Sequence, residues 1–331
     1  MERILSLLSL IFKGGLIGIA NIIPGVSGGT MAMVLGIYER LIRSLNCIGI
    51  GTVKKIMSFK ITDIRRECQR IDIGFLFLIA VGAAIAIVTT AKLIVLLITE
   101  QHDPTYGFFC GLILLSILTP LRMMKQFHFY CLIPLLCATI LTVGLTISMG
   151  GEKTLEKEKQ KYKIEQLQKK LGGQDTDRQV GRSVGRLVYL FIVGAIAISA
   201  MILPGISGSF VMLLFGVYFE ILLAINNRDL TLLITFAIGC GLGLLAFTRL
   251  LNFLLERYHD LTVSFLIGLM IGSLYGLWPF REFEVVNSQR IDFAHVLPRI
   301  NTNLAITFVA FLFGCVIILI FDQFEKLNQR A

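Results

Sequence analysis

Apolar segments recur along nearly the whole chain, at residues 4–23, 30–45, 73–99, 105–121, 127–149, 187–203, 209–226, 230–255, 261–280 and 303–321. A helix needs about 20 apolar residues to cross the hydrocarbon of a bilayer. The segments at 73–99, 127–149, 230–255 and 303–321 meet that length, and the shorter ones at 105–121 and 261–280 are expected to cross as well. What lies between them is too little polar sequence for a separate water-soluble core. Charged residues make up 16% of the chain, where a soluble domain carries about 25%. An ordinary soluble enzyme is excluded, and an all-α polytopic membrane protein is expected.

The remaining pairs, 4–23 with 30–45 and 187–203 with 209–226, are short and interrupted by Pro, Gly and Ser. They are also copies of each other. ANIIPGVSGGTMAMVLGIY, from Ala20 to Tyr38, aligns without gaps on AMILPGISGSFVMLLFGVY, from Ala200 to Tyr218, and both keep the helix-breaking residues. At a second offset Gly82 matches Gly239, Lys92 matches Arg249, HDPTYGFFCG (102–111) matches HDLTVSFLIG (259–268) and Ser116 matches Ser273. The offset changes because the first half has a longer basic loop, roughly 43–72. The chain therefore divides into a first repeat at 1–149, a charged linker at 150–186 and a second repeat at 187–331. Each repeat reads as an interrupted, re-entrant-type hairpin followed by three transmembrane helices. An odd number of crossings per copy turns the second upside down, so the expected fold is two inverted-topology repeats, an arrangement that many transporters use for alternating access.

The formal net charge of +9 comes from 31 Lys and Arg against 22 Asp and Glu. The basic residues gather between apolar segments, as expected at an anionic membrane surface and not for a nucleic-acid partner. Arg122, Lys125, Lys326 and Arg330 favour placing their side, shared with loop 43–72, in the cytoplasm. Seven cysteines show no ligand-like spacing, so neither a metal site nor a disulfide framework is expected, and no cofactor is implied.

Chemistry is expected where the membrane elements break. Pro24-Gly25-Val26-Ser27-Gly28-Gly29-Thr30 and Pro204-Gly205-Ile206-Ser207-Gly208-Ser209 free backbone groups at membrane depth, where an unpaired amide costs several kcal/mol unless it faces protein or a polar cavity. A helix restarting at each break aims N–H groups at an anion, and phosphate suits such a site. Close packing of two helices through small residues would explain one break; two copies in equivalent positions favour a substrate site. Ser27, Thr30, Ser207 and Ser209 add hydroxyls, and Asn21 adds an amide where the second copy has Met201. Lys92 and Arg249 stand at equivalent positions near the polar ends of long helices, either supplying charge to the substrate or snorkelling to the interface. Glu39 and Glu220 are candidates for proton coupling, with ordinary surface carboxylates as the alternative. The repeated His-Asp pairs, 102–103 and 259–260, fit a turn or capping role, with a proton relay as the competing one.

ANIIPGVSGGTMAMVLGIYE and ILPGISGSFVMLLFGVYFE resemble the bacterial polyprenyl-phosphate transporter family, formerly a domain of unknown function, over nearly the full chain. The resemblance implies a multi-pass protein of the inner (cytoplasmic) membrane that is not an enzyme. It implies return of undecaprenyl phosphate from the outer to the cytoplasmic leaflet, recycling the lipid carrier for peptidoglycan and other cell-envelope synthesis. On this reading the partners are the polyprenyl phosphate and membrane lipids. PGVSGGT is also similar to the PGxSRSGxT loop of undecaprenyl-pyrophosphate phosphatases, but Gly28 and Gly29 stand where that family has Arg-Ser, and no compensating glutamate-rich motif is present. A small-anion carrier using the same two breaks is the remaining alternative.

Overall fold

The computed structural model describes residues 2–22, 27–49, 52, 61–126, 128–148, 183–226, 228–286 and 289–330. The first hairpin consists of α1 (Glu2–Ile22), α2 (Gly28–Val34) and α3 (Tyr38–Asn46). A polar helix α4 (Ile61–Ile71) follows, then α5 (Ile73–Glu100), α6 (His102–Ser116), the short α7 (Leu118–Met123) and α8 (Leu132–Ser148). The second half repeats the order with α9 (Val184–Ile202), α10 (Gly208–Leu214), α11 (Tyr218–Asn226), α12 (Leu230–Arg257), α13 (His259–Gly276) and α14 (Thr302–Arg330). Among the described residues seven helices are long and apolar enough to cross a bilayer, and their outward faces are apolar, with side chains such as Val88, Ile140, Ile234 and Val309 exposed. The chain is a polytopic, mostly helical membrane protein.

The chain is mostly helical, as expected, with one addition and two corrections. Between α13 and α14, Arg281–Val286 (β1) and Gln289–His295 (β2) pair antiparallel. Alternation in REFEVV and RIDFAH is the strand signature, and it lies in a stretch too polar to be read as a span. Loop 43–72 contains a helix, α4, whose sequence ITDIRRECQRI has a strongly one-sided polar pattern. The segments read as continuous at 30–45 and 209–226 each break a second time. After α2 and after α10 the chain turns through Gly36 (φ 66°) and Gly216 (φ 68°). Ile37 N–H reaches back to Ala32 O at 3.0 Å and Val217 N–H to Met212 O at 2.9 Å, the six-to-one bond of a Schellman stop. The turn needs a left-handed residue, which is why Leu-Gly-Ile-Tyr and Phe-Gly-Val-Tyr carry Gly at the same place.

Helices pair through glycines spaced four apart, which let backbones approach closely where lipid offers no hydrophobic drive. Gly14 and Gly18 of α1 lie on Ile79 and Ala83 of α5, and Gly239 and Gly243 of α12 lie on Phe191 and Ala195 of α9. Gly107 and Gly111 of α6 meet Thr307 and Phe311 of α14, while Gly268, Gly272 and Gly276 of α13 meet Leu135, Thr142 and Thr146 of α8. In each pair residue numbers rise together, so partners run parallel. The last two pairings join the halves: α8 leaves its own half to pack on α13, and α14 packs on α6.

The repeated His-Asp pairs sit at these exchanged contacts. Asp260 accepts from the backbone N–H groups of Lys125 (2.9 Å) and Gln126 (3.2 Å), ahead of α8, and Asp103 accepts from Asn303 Nδ2 (2.7 Å), at the start of α14. Each aspartate thus ties the first turn of its helix to the element that crosses from the other half.

Candidate functional site

The two breaks meet each other. Ser27 is the N-cap of α2, where its Oγ accepts from Gly29 N–H at 3.0 Å and donates toward Leu203 O (2.9 Å) and Met201 O (3.2 Å) of the second break. Thr30 Oγ1 accepts from Gly205 N–H at 2.9 Å, and Tyr38 donates its hydroxyl to Ile202 O at 3.3 Å. Four residues of the second break, Met201, Ile202, Leu203 and Gly205, are therefore met by side chains of the first. Ser27, Thr30 and Tyr38 are buried, so these bonds form away from solvent.

Glycine is dictated here by contact. Gly29 lies so close to Ile202 O that a Cβ has no room, and Gly28 is covered by the Asn21 amide, whose Oδ1 accepts from Gly28 N–H at 3.0 Å. Gly205 adopts φ 81° and backs onto the Leu269 carbonyl, and a Cβ on Gly208 would come within 3.0 Å of Ala197 O. Pro204 is buried and Ser207 half-buried, its carbonyl accepting from Val211 N–H as Ser27 O accepts from Met31 N–H, both at 3.2 Å. Ser209 opens α10 beside it. Pro24 and Gly25 lie outside the described residues, as do linker residues 150–182.

The structure thus brings Asn21, Ser27, Gly28, Gly29, Thr30, Pro204, Gly205, Ser207, Gly208 and Ser209 into the two facing breaks. The amides of Gly28 and Gly29, expected to face an anion, are bonded to Asn21 and Ser27 in this conformation. Lys92 and Arg249 lie elsewhere, both exposed. Arg249 Nη2 packs against the backbone at Gly49, beyond the end of α3. Among the described residues neither cation bonds to the breaks. Glu39 Oε1 meets His259 Nε2 at 3.2 Å, joining the first hairpin to the start of α13. Glu220 pairs with Arg186 on the first turn of α9.

Sequence reasoning passed over Lys13 and Tyr38. Lys13 Nζ donates to Leu35 O at 3.0 Å, at the C-terminal end of α2, where a cation is favoured. A lysine inside the apolar run 4–23, replaced by Val193 in the second copy, was the available signal. Tyr38 is present in both copies, and its position after the Schellman glycine returns its hydroxyl to the other half.

A mostly helical membrane protein whose two broken hairpins interlock at their breaks is the class that the fold and site define. Residues 17–293 match the family model described as undecaprenyl phosphate translocase-like, and the chain belongs to that family. It is 36% identical over 282 residues to a polyprenyl-phosphate transporter of Vibrio cholerae, covering 85% of this chain and 80% of that protein. It is also 28% identical over 288 residues to a polyprenyl-phosphate transporter of Staphylococcus aureus, covering 83% and 88%. No solved structure matches the chain.

Proposed function

We propose that the chain carries undecaprenyl phosphate, or a related polyprenyl phosphate, from the outer to the cytoplasmic leaflet of the bacterial inner membrane, without chemical conversion. Residues 1–149 and 187–331 act as inverted repeats joined by the charged linker 150–186, with the phosphate head held at the Pro-Gly-x-Ser-Gly breaks while the prenyl tail stays in lipid. The relatives named as polyprenyl-phosphate transporters support the substrate class. The exchanged parallel pairing of α8 with α13 and α6 with α14 supports the inversion, since it turns α9, α12, α13 and α14 opposite to their counterparts α1, α5, α6 and α8.

The observation that carries the reading is the interlock of the breaks. Bonds from Ser27, Thr30 and Tyr38 to residues 201–205 close the pair, the one Ser27 proton being shared between Met201 O and Leu203 O, and at about 1 kcal/mol net each the three contribute about 3 kcal/mol. An equilibrium of that size is open to bias by a ligand that binds one state better. A phosphate head supplies charge-assisted bonds to Ser27, Thr30, Ser207, Ser209 and the freed amides, offsetting the loss as the halves part. Lys92 and Arg249, at the helix ends, act on the head group before or after the breaks hold it. Glu39, against His259, and Glu220, against Arg186, are the proton-coupling candidates, because both carboxylates bond across elements that must separate.

The test is binding and leaflet-to-leaflet movement of undecaprenyl phosphate in proteoliposomes of the purified protein, with phosphate release followed in parallel. Movement without release is expected. Release of phosphate from a lipid pyrophosphate would replace the carrier by a phosphatase, and neither activity would leave a smaller anion as the substrate. Movement indifferent to an imposed pH gradient would remove the proton coupling.

A further inference from the structure

While the breaks are closed on each other, the hydroxyls of Ser27 and Thr30 and the amides of Gly28, Gly29 and Gly205 are bonded to protein, so an arriving head group needs another place to be held. A cavity of about 440 Å³ opens at the far end of the first hairpin, between α3, α4 and the start of α5. Three arginines line it. Arg40 is oriented by Asp72 (2.6 Å) and lies 4.2 Å over the Phe75 ring. Arg70 is pinned by Glu67 (2.7 Å), Cys47 O (2.9 Å) and Thr52 (3.0 Å). Arg43 is exposed and, among the described residues, has no acidic partner. Of the acids that line the cavity, Glu39 is engaged by His259 and Asp72 by Arg40.

Resting on the carrier reading above, we propose that this cavity is a second binding site, for a phosphomonoester dianion, at which the lipid's head group is held outside the paired breaks. A guanidinium has five donors in a planar fork matched to phosphate oxygens, so Arg40 and Arg70 keep donors to spare while their protein bonds fix their direction. Arg43 supplies a charge that, among the described residues, no acidic side chain pairs with. The volume accommodates a phosphate head with several waters, each of about 30 Å³.

The site is also one-sided. The breaks are copied in the second half, but Arg40 corresponds to Glu220, paired there with Arg186, and Arg43 corresponds to Leu223. A site needed in both transport states is preserved in both copies. A site at one end only acts on one face of the membrane, where it raises the residence of the head group on that side.

Cys47 lines the cavity and Cys68 of α4 does not, so the test is the rate of maleimide labelling at each thiol, read by peptide mass spectrometry on the full-length protein in nanodiscs. Farnesyl phosphate, farnesol and inorganic phosphate are the probes. At ten times its dissociation constant farnesyl phosphate is expected to slow Cys47 labelling about tenfold, leaving Cys68 unchanged, and farnesol is expected to protect neither. Arg43→Gln and Arg40→Gln are each expected to raise the protecting concentration about tenfold. Among the described residues the Arg43 side chain makes no hydrogen bond or ion pair, so an unchanged unfolding temperature is expected for Arg43→Gln. Equal protection by inorganic phosphate would assign the site to free phosphate and overturn its role for the lipid. Unprotected Cys47 in protein that binds farnesyl phosphate and moves undecaprenyl phosphate would overturn the second site and leave the carrier standing. Neither binding nor movement would bring down the carrier reading and this site with it.

Discussion

The two hairpins descend from one pattern and do different work. In the first, side chains act: Ser27, Thr30 and Tyr38 reach across, and Asn21 covers its own break. In the second, backbone is presented: the carbonyls of 201–203 and the Gly205 amide are what those side chains meet. At the aligned positions the second copy has Met201 for Asn21, Ser209 for Gly29 and Phe210 for Thr30. The two copies of the motif share the residues that shape the chain, Pro, Gly and the turn glycines. They differ in polar residues, and one donor or acceptor suffices for each bond between the hairpins.

Exchanging residues between the copies breaks this division of labour. The largest effect is expected for Gly29→Ser, which installs the second copy's own residue where Ile202 O leaves no space for a Cβ. Overpacking of this kind costs about 1–3 kcal/mol, and here it falls on the interlock itself, so lipid movement in proteoliposomes should be abolished and the unfolding temperature lowered. Wild-type movement would show that the closed pair is not part of the cycle.

Thr30→Val comes next. It leaves Gly205 N–H without its acceptor at membrane depth, which costs about 1–3 kcal/mol, and a slowing of movement by roughly tenfold is expected, with Thr30→Ser restoring most of it. Ser27→Ala removes the donation shared between Leu203 O and Met201 O and the α2 cap together, at about 0.5–2 kcal/mol for the cap. It should be more harmful than Ser207→Ala in the same assay; equal effects would mean that the halves are chemically symmetric after all.

Smaller still is Asp260→Asn, which weakens the tie to Lys125 and Gln126 and is expected to lower the unfolding temperature by a few degrees, for about 1 kcal/mol. Lys92→Ala and Arg249→Ala should change lipid-phosphate affinity least, because neither side chain bonds to the described residues of the breaks. Unchanged affinity in both would assign them to snorkelling at the interface.

Much of this was legible in one dimension because it rests on local rules. Length and hydropathy find the spans, since the bilayer fixes their size, and the gapless match of residues 20–38 with 200–218 finds the breaks. The second pair of breaks was equally local, at Gly36 and Gly216, but periodicity ran across it because the flanking residues are all apolar. The β-hairpin at 281–295 was missed for the opposite reason, a polar stretch whose alternation is short.

The chain by itself determined that it is a membrane protein, that it carries one motif twice, and where its helices must break, because transfer to lipid and backbone sterics act on each residue with little regard to distant ones. Only the tertiary structure decided that the two breaks close on each other, that α8 and α14 change sides, and that Arg40, Arg43 and Arg70 share a cavity while Lys92 and Arg249 stand apart. Those outcomes depend on which glycine faces lie against which backbones over separations of more than 100 residues, for example Gly268 on Leu135 and Gly111 on Phe311. Spacing along the chain carries no record of that choice.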